Sequence, residues 1–408
     1  MNVKRLLQSK RKRNGAVMAL VLFVVVILSI VGVGLLGLGL QSRTLAARTA
    51  SEIEARCAAD AGLVKAVFEM NEKLKVIPWN NDILPQATNE VLPNCGATFS
   101  YTVTGDLSNG YNIEAIGKSG WAVKKANCGL QLRGPFEAAI FANTTISLKE
   151  GTIIDWYNYD ENERNLQVGT NSIEPGSIDL KNGVFVNGDV IVGFGGDPDV
   201  VVVNSTWATI TGDTYALTER YNLSPITLPG HLELLPSGGT IDDTTTITTS
   251  GKYDGINLGP GEIITIDGSV ALDITGDIIL DNSAQLQIVN AQTNPNASLT
   301  LYLGGNLVSK NGGLINNVSS NPHKLKVYGL DTCQLIDFKT NSIFYGAIYA
   351  PNADVQLNAW VEYSGACIAK SFTQNVHANF NYDASLRDVS ISEDEGVVRF
   401  VVKQWSEE

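Results

Sequence analysis

An uncharged, almost wholly apolar run at residues 16–40 restricts what this chain can fold into. As a helix rising about 1.5 Å per residue, the run would span roughly 37 Å, enough to cross a hydrocarbon core of about 30 Å with tilt. A secretory signal would have a shorter apolar core, roughly 7–15 residues, followed by a small-residue cleavage site. The run therefore predicts one membrane-spanning helix.

The charges in front of this run predict its orientation. Six basic residues and no acidic residue precede Gly15: Lys4, Arg5, Lys10, Arg11, Lys12 and Arg13. Because cytoplasmic flanks carry an excess of Lys and Arg, the N-terminus is expected in the cytoplasm and the remainder on the other side. The prediction is a single-pass protein in contact with inner (cytoplasmic) membrane lipid, with its C-terminal domain in the periplasm or at the cell surface.

The remainder of the chain is apolar enough to fold and strongly acidic. The 408 residues are 44% hydrophobic, with 42 Asp and Glu against 29 Lys and Arg. This length predicts two or more folded units. Because an acidic body repels nucleic acid, no nucleic-acid partner is predicted.

Helical periodicity continues past the span through residues 42–74. Apolar residues recur there at steps of three or four, at Ile53, Cys57, Ala61, Val64 and Phe68. This spacing predicts one apolar stripe that needs a packing partner. Pro78 disfavours further helix. We therefore expect a leader at 1–15 and one continuous helix at 16–75.

The order of these features resembles the type IV pilin family. A basic leader ends at Asn14-Gly15, Ala16 opens the span, and an amphipathic helix follows. More narrowly, residues 58–63 (AADAGL) are similar to the AAEAGL-type run of PilX-type minor pilins and related pilin-like proteins. The resemblance implies cleavage after Gly15 by a prepilin peptidase and methylation of Ala16. It also implies other pilin-like subunits and a pilus or secretion assembly machinery as partners.

One position departs from the pilin pattern. The fifth residue after Gly15 is Leu20, where major pilins usually carry a glutamate that pairs with a neighbouring subunit. A carboxylate in lipid is costly unless paired, so its loss removes a registering contact. The K-type pseudopilin at the tip of type II secretion pseudopili also lacks this glutamate. The resemblance therefore implies a minor, tip or initiating subunit, of a pilus or of a pseudopilus, with a simple membrane tether as the alternative.

Alternating apolar and polar residues between positions 91 and 132 predict a small antiparallel sheet, placed in a module at 76–135 that covers the helix. Five cysteines in an exported chain predict up to two disulfides. Cys95 with Cys128 would staple this sheet, and Cys333 with Cys367 is the other pairing of near neighbours, although spacing alone does not fix connectivity.

Residues 136–390 keep no helical period and consist of short apolar strands separated by turn residues. Several strands begin with or contain a glycine, at positions 188, 276, 305, 346 and 365. Similar strands with unequal loops favour a parallel β-helix in which each rung stacks on the last. A β-sandwich is the alternative.

Two features concern the end of this domain. Residues 344–366 resemble the closing rungs of β-helical domains attached to pilin-like N-termini in bacterial envelope proteins. The C-terminal segment 391–408 contains one last strand, expected to cap the solenoid or to pair with the first sheet. The predicted fold class is α+β: a transmembrane pilin-like helix with a small antiparallel sheet, followed by a large all-β parallel solenoid.

Few residues point to chemistry. Carboxylate pairs lie at 242–243, at 197 and 199, and at 160–163, each among loop residues with no basic cluster nearby. Such pairs are expected to be solvated rather than catalytic, so no enzyme activity is predicted. The three histidines (His231, His323 and His377) lack ligand spacing, and no cofactor or metal is predicted.

Trp156, Tyr157 and Tyr159 form an aromatic patch that is the best candidate for a recognition surface, with core packing as the alternative interpretation. Surface glycans are a candidate ligand class. Taken together, the sequence predicts a structural minor pilin-like or pseudopilin-like subunit. It would be assembled into or prime a type IV pilus or a type II secretion-like filament, with a β-helical head for adhesion or partner contact. The alternative is a membrane-tethered β-helical protein that binds or acts on carbohydrate.

Overall fold

The computed structural model describes residues 13–74, 81–106, 109–158, 165–387 and 399–407. It separates into two compact units. The first unit comprises residues up to 73, residues 80–131 and residues 400–408, and the second comprises residues 74–79 and 132–399.

The first unit contains one long helix and a small antiparallel sheet. Its elements are α1 Arg13–Leu74, β1 Gln86–Val91, β2 Thr98–Asp106, β3 Gly110–Ser119, β4 Ala122–Arg133 and, from the end of the chain, β30 Arg399–Glu407. The sheet order is β1-β2-β3-β4-β30. The last strand therefore pairs with the first sheet, which was one of its two predicted positions.

The sheet packs against a different face of α1 from the one that the sequence predicted. The buried helix residues are mostly small: Ala55, Ala58, Ala59, Gly62, Leu63, Ala66 and Met70. By contrast, Ile53, Val64 and Phe68 of the predicted stripe are 58%, 64% and 61% exposed. Periodicity found the helix but selected the wrong face, because the helix and sheet backbones approach closely at Gly117, where only small helix residues fit.

Gly117 of β3 is the point of closest approach. A Cβ atom at this position would lie 1.9 Å from the carbonyl oxygen of Ala55 and 2.5 Å from the amide nitrogen of Ala59. Gly62 faces the sheet from the helix side, where a Cβ would lie 3.3 Å from Phe99 and Ala115. Gly117 lies within β3, where the lack of a side chain admits the helix backbone.

Hydrogen bonds fix the position of α1 on this sheet. The Tyr101 hydroxyl donates to Glu69 at 2.6 Å, and the Ser119 hydroxyl donates to Glu54 at 2.5 Å. The Asn71 side chain accepts from the amide of Phe400 at 2.8 Å, which ties β30 to the helix. Burial and the neighbouring Glu69 raise the pKa of Tyr101, so this hydroxyl remains a donor.

The second unit is built from short strands. The first winding consists of β5 Ile140–Leu148, β6 Ile153–Asn158, β7 Gln167–Thr170, β8 Ile178–Leu180, β9 Phe185–Val186, β10 Asp189–Val192, β11 Val202–Asn204, β12 Thr209–Ile210 and β13 Thr214–Ala216. The second winding begins with β14 Thr240–Ile241, β15 Thr245–Ile247, β16 Gly251–Tyr253, β17 Gly255–Leu258, β18 Ile263–Ile266, β19 Ser269–Ile274, β20 Ile278–Leu280 and β21 Gln285–Ile288. It continues with β22 Ser298–Leu303, β23 Leu307–Ser309, β24 Leu314–Ile315, β25 Leu325–Gly329, β26 Leu335–Phe338, β27 Ile343–Leu357, β28 Glu362–Gln374 and β29 Asn379–Asp383. Two short α-helices, α2 Pro198–Val201 and α3 Gly230–Glu233, and two 3-10 turns, Pro322–Lys324 and Ala384–Arg387, complete the unit.

These strands stack into three parallel faces, which confirms the β-helix over the β-sandwich. Face A contains β14, β17, β20, β23, β26, β27, β28, β5, β8 and β11, in stacking order. Face B contains β15, β18, β21, β24, β27, β28, β29, β6, β9 and β12. Face C contains β16, β19, β22, β25, β27, β28, β5, β7, β10 and β13. The long strands β5, β27 and β28 bend around corners and so contribute to more than one face.

The stacking order is not the chain order. Strand β28 pairs with β27 on one side and with β5, the first strand of the unit, on the other. The chain thus enters at the middle of the stack and winds to one end at β13. Residues 217–239 then cross to the other end, where the second winding begins and returns to meet β5. The expectation that each rung stacks on the last fails at this junction. The predicted closing rungs, β27 and β28, are central rungs.

The crossing segment covers face C. Tyr302, Tyr328 and Tyr349 stack in a row on this face, with ring centroids 5.7 and 6.5 Å apart, and each is at most 2% exposed. The Tyr349 hydroxyl donates to the carbonyl of Ser224 in the crossing segment at 2.8 Å. Leu232 of the same segment is fully buried. The Tyr349 hydrogen bond and the burial of Leu232 therefore hold the crossing segment on face C.

Candidate functional site

In the described part of the chain, the side chains of α1 from Val17 to Leu40 are not packed against another element. Large apolar side chains between Val17 and Leu40 are 43% to 74% exposed. Among the described residues, α1 is the one helix long and apolar enough to cross a membrane. Surfaces of this kind are stable only in lipid or against another apolar surface.

The exposed apolar surface continues along the outer half of α1. Leu45, Ile53, Cys57, Val64 and Phe68 are all exposed, at intervals of eight, four, seven and four residues. These intervals place them on one side of the helix. The predicted stripe thus exists, but the sheet of its own chain does not cover it.

The predicted processing residues, Gly15 and Ala16, fall near the start of α1, and their side chains lie outside the described part of the structure. Leu20, which would be the fifth residue of a chain beginning at Ala16, is 65% exposed. This uncharged surface offers apolar contact at the position where major pilins usually carry a glutamate.

The predicted disulfide between Cys95 and Cys128 is absent, and both residues are free thiols. Cys128 in β4 is opposite Ile113 of β3, which is opposite Val103 of β2. Cys95 lies in the turn before Thr98, and Thr98 is roughly 17 Å along β2 from Val103 and two strands, roughly 10 Å, from the strand of Cys128. Disulfides need Cα atoms within about 7 Å, so this register excludes the bridge.

The other cysteines are also unbridged. Cys333 and Cys367 are fully buried, and Cys57 is exposed. Burial raises the pKa of Cys128 to about 11 and that of Cys333 to about 12. Buried thiols of this kind are chemically inert at neutral pH.

The predicted aromatic patch divides into a packed and an exposed residue. The Trp156 ring lies 5.7 Å from Tyr382, and the guanidinium of Arg387 lies 5.6 Å from its centroid. Tyr157 is 44% exposed, and its hydroxyl donates to the carbonyl of Ser320 at 2.7 Å. Tyr159 lies outside the described residues. Trp156 therefore has a packing role, whereas recognition through Tyr157 stays a prediction.

The acidic pairs lie in solvated or capping positions. Asp197 accepts from the amide of Asp199 at 3.1 Å and caps α2, and Asp242 and Asp243 are both exposed. The group at 160–163 lies outside the described residues. In the described part of the chain, no group of three or more His, Cys, Asp or Glu side chains is arranged to hold a metal ion.

One surface feature escaped the sequence interpretation. At the corner between faces A and B, one residue in each of several rungs has a positive φ. These residues are Gly151, Gly183, Gly312, Asn341, Trp360 and His377. Trp360 is 58% exposed and stacks on His377 at 4.6 Å. The visible signal was Lys-Asn-Gly, which occurs at 181–183 and again at 310–312. This motif marks the corner, because glycine and asparagine tolerate positive φ.

The comparisons with known proteins give likenesses at low similarity. A family model described as a domain of unknown function, DUF7305, matches residues 230–389, which include the whole second winding. A search of curated proteins found no match. A glycosylated ice-binding protein from an Arctic yeast is 16% identical over 60% of this chain and 90% of its own, with a TM-score of 0.34.

An ice-binding protein from the Antarctic ascomycete Antarctomyces psychrotrophicus is 14% identical over 62% of this chain and 96% of its own, with a TM-score of 0.29. The competence-associated pilin ComZ from Thermus thermophilus is 14% identical over 88% of this chain and 97% of its own, with a TM-score of 0.25. All three TM-scores are below 0.5, so fold and function rest on the residues of this chain.

Proposed function

We propose that this protein is a minor pilin-like or pseudopilin-like subunit. In this proposal a prepilin peptidase cleaves it after Gly15, and α1 inserts it into a filament or a filament-initiating complex. The β-solenoid is displayed outside the membrane as a head for adhesion or partner contact. The absence of a charge at Leu20 supports a minor, tip or initiating position over a bulk subunit.

The observation that carries the proposal is the contrast along α1. Between Val17 and Leu40 its apolar side chains are exposed, and its second half presents a small-residue face to its own sheet and a large-residue stripe outward. A simple membrane tether needs only the first of these features. The stripe from Leu45 to Phe68 extends the apolar surface well beyond the span, as packing against a neighbouring helix would require.

The proposed role is structural rather than enzymatic. The carboxylate pairs at 242–243 and at 197 and 199 are exposed, and Asp197 serves as a helix cap. General acid–base catalysis needs two such groups converging on one substrate.

Processing is the step that separates a pilin-like subunit from a tether. In the native host, we expect the mature protein to begin at Ala16 with a methylated N-terminus, measured by mass spectrometry of the purified chain. Gly15→Val is expected to leave the leader attached, because its branched side chain obstructs the cleavage site. Gly34→Val is the control, since a Cβ at Gly34 meets no atom within 4 Å. An intact leader on the wild-type chain would contradict the proposal and favour the tether.

A further inference from the structure

A polar cavity of about 490 Å³ lies beside the crossing segment, at the corner between faces C and A. Asn143 and Asn171 line it from the solenoid, and Arg220 and Asn222 line it from the crossing segment. Leu223 and Pro351 add apolar surface. Its volume falls within the roughly 300–1,000 Å³ that is typical of small-molecule sites.

The wall of the cavity is held by defined contacts. The Asn171 amide donates to the carbonyl of Tyr221 at 2.8 Å and accepts from the Tyr221 amide at 3.0 Å. The Tyr221 ring packs on Phe141 with the centroids 4.8 Å apart. The Asn171 side chain pairs with both the carbonyl and the amide of Tyr221. These two hydrogen bonds hold the backbone in place between the flanking residues Arg220 and Asn222.

Several donors in the cavity are not used by the protein. Within the described residues, the exposed guanidinium of Arg220 and the side-chain amide of Asn222 have no hydrogen-bond partner. Asn143 accepts from Asn171 at 3.3 Å, which leaves its own NH₂ group available. Among the described residues, no carboxylate lines the cavity, although the chain carries a net charge of −13. The cavity is therefore a cationic, donor-rich site in an acidic protein.

We propose that this cavity binds a carboxylate-bearing sugar residue of the uronic acid class. Arg220 would pair with the carboxylate through its planar donor fork, since guanidinium and carboxylate groups match in geometry. The asparagine amides both donate and accept, as vicinal hydroxyls require. Leu223 and Pro351 would contact the C–H faces of the ring. A phosphate dianion fits less well, because Arg220 is the one cation among the described residues that line the cavity.

This inference rests on the proposed function in one respect, since it gives the displayed head a ligand class. The binding site itself lies wholly within residues 143–352 of the solenoid. Its test uses the full chain in detergent, where filament assembly plays no part. Failure of sugar binding and failure of processing at Gly15 are therefore distinguishable.

The experiment is isothermal titration calorimetry of the full-length chain in detergent micelles with trigalacturonate, and with its methyl ester as the neutral probe. We expect the acid to bind more tightly than the ester. Arg220→Gln should weaken binding of the acid at least about tenfold while leaving the ester unaffected, because one charge-assisted pair is lost. Lys149→Gln, which removes a cation from a different corner, should leave both affinities unchanged.

Asn143→Asp provides a second, independent variant. An aspartate there still accepts the bond from Asn171 but places a negative charge in the cavity, so binding of the acid should fall more than binding of the ester. Arg220 is exposed, so thermal unfolding of Arg220→Gln should match the wild type. Absence of binding to the wild type, equal binding of acid and ester, or unchanged binding by Arg220→Gln would each overturn the proposal.

Discussion

The outer half of α1 has two apolar faces, of which one is buried and the other exposed. The face with Ala55, Ala59 and Gly62 is buried against its own sheet, and the face with Val64 and Phe68 is exposed. By hydrophobicity alone the second face would be buried first. Burial here depends on how closely the helix and sheet backbones fit, which leaves the larger side chains exposed.

The largest effect is expected at the closest contact of the buried face. Gly117→Val would drive a side chain into the helix backbone at Ala55, at a cost of at least about 3 kcal/mol in the free energy of unfolding. Hydrogen exchange of the β2 and β3 amides, followed by mass spectrometry, measures this locally. Gly34→Val, in the exposed half of α1, should leave exchange in the sheet unchanged. Wild-type protection in Gly117→Val would disprove the close packing.

A matched pair compares the two faces directly. Met70→Ala removes a fully buried side chain and should cost about 2–5 kcal/mol, whereas Phe68→Ala should stay within about 0.5 kcal/mol because Phe68 is 61% exposed. Denaturant unfolding of the chain in detergent gives both values. Under the proposed function, Phe68→Glu should in addition lower incorporation into filaments, because it would place a charge in the proposed helix contact. Equal costs at both positions would mean that the two faces do not differ in burial.

At the corner between faces A and B, replacing a glycine should lower the free energy of unfolding by a smaller amount. Gly183 has a φ of 72°, and a Cβ there would meet its nearest atom at an ordinary 3.6 Å, so only backbone strain opposes a side chain. Gly183→Ala should cost about 1 kcal/mol, and Gly183→Asn less, since asparagine tolerates this conformation. Gly230→Ala is the control, because a Cβ there contacts no atom within 4 Å. Urea unfolding of each variant would show whether the cost follows φ.

The smallest perturbation uses the wild-type sequence and compares the alkylation rates of two native thiols, Cys57 and Cys128. At pH 8 we expect Cys57 on the exposed face to be alkylated at least about a hundredfold faster than Cys128. Burial raises the pKa of Cys128 to about 11, so the stability that its protonated form contributes is present below the ordinary thiol pKa of 9.0. That stability is lost as the pH rises from 9 through 11. Labelling followed by peptide mapping gives both rates, and similar rates would place Cys128 at the surface.

The sequence predicted most elements of the fold because their signals are local. The uncharged run at 16–40, the alternation around residues 98–116 and the glycine-led strands each depend on neighbours a few residues apart. All three appear as a helix, an antiparallel sheet and parallel rungs. The candidate site was harder, because Asn143, Asn171 and Arg220 come together only through the crossing segment.

Sequence by itself determined that this chain has one long apolar helix, a small alternating sheet and a solenoid, because hydrophobic period and turn residues dictate each local conformation. Only the tertiary structure decided which face of α1 is buried, since backbone approach at Gly117 is invisible to periodicity. It also separated Cys95 from Cys128 by strand register. Finally, it joined β28 to β5, because the pairing of parallel rungs depends on shape and edge hydrogen bonds and not on distance along the chain.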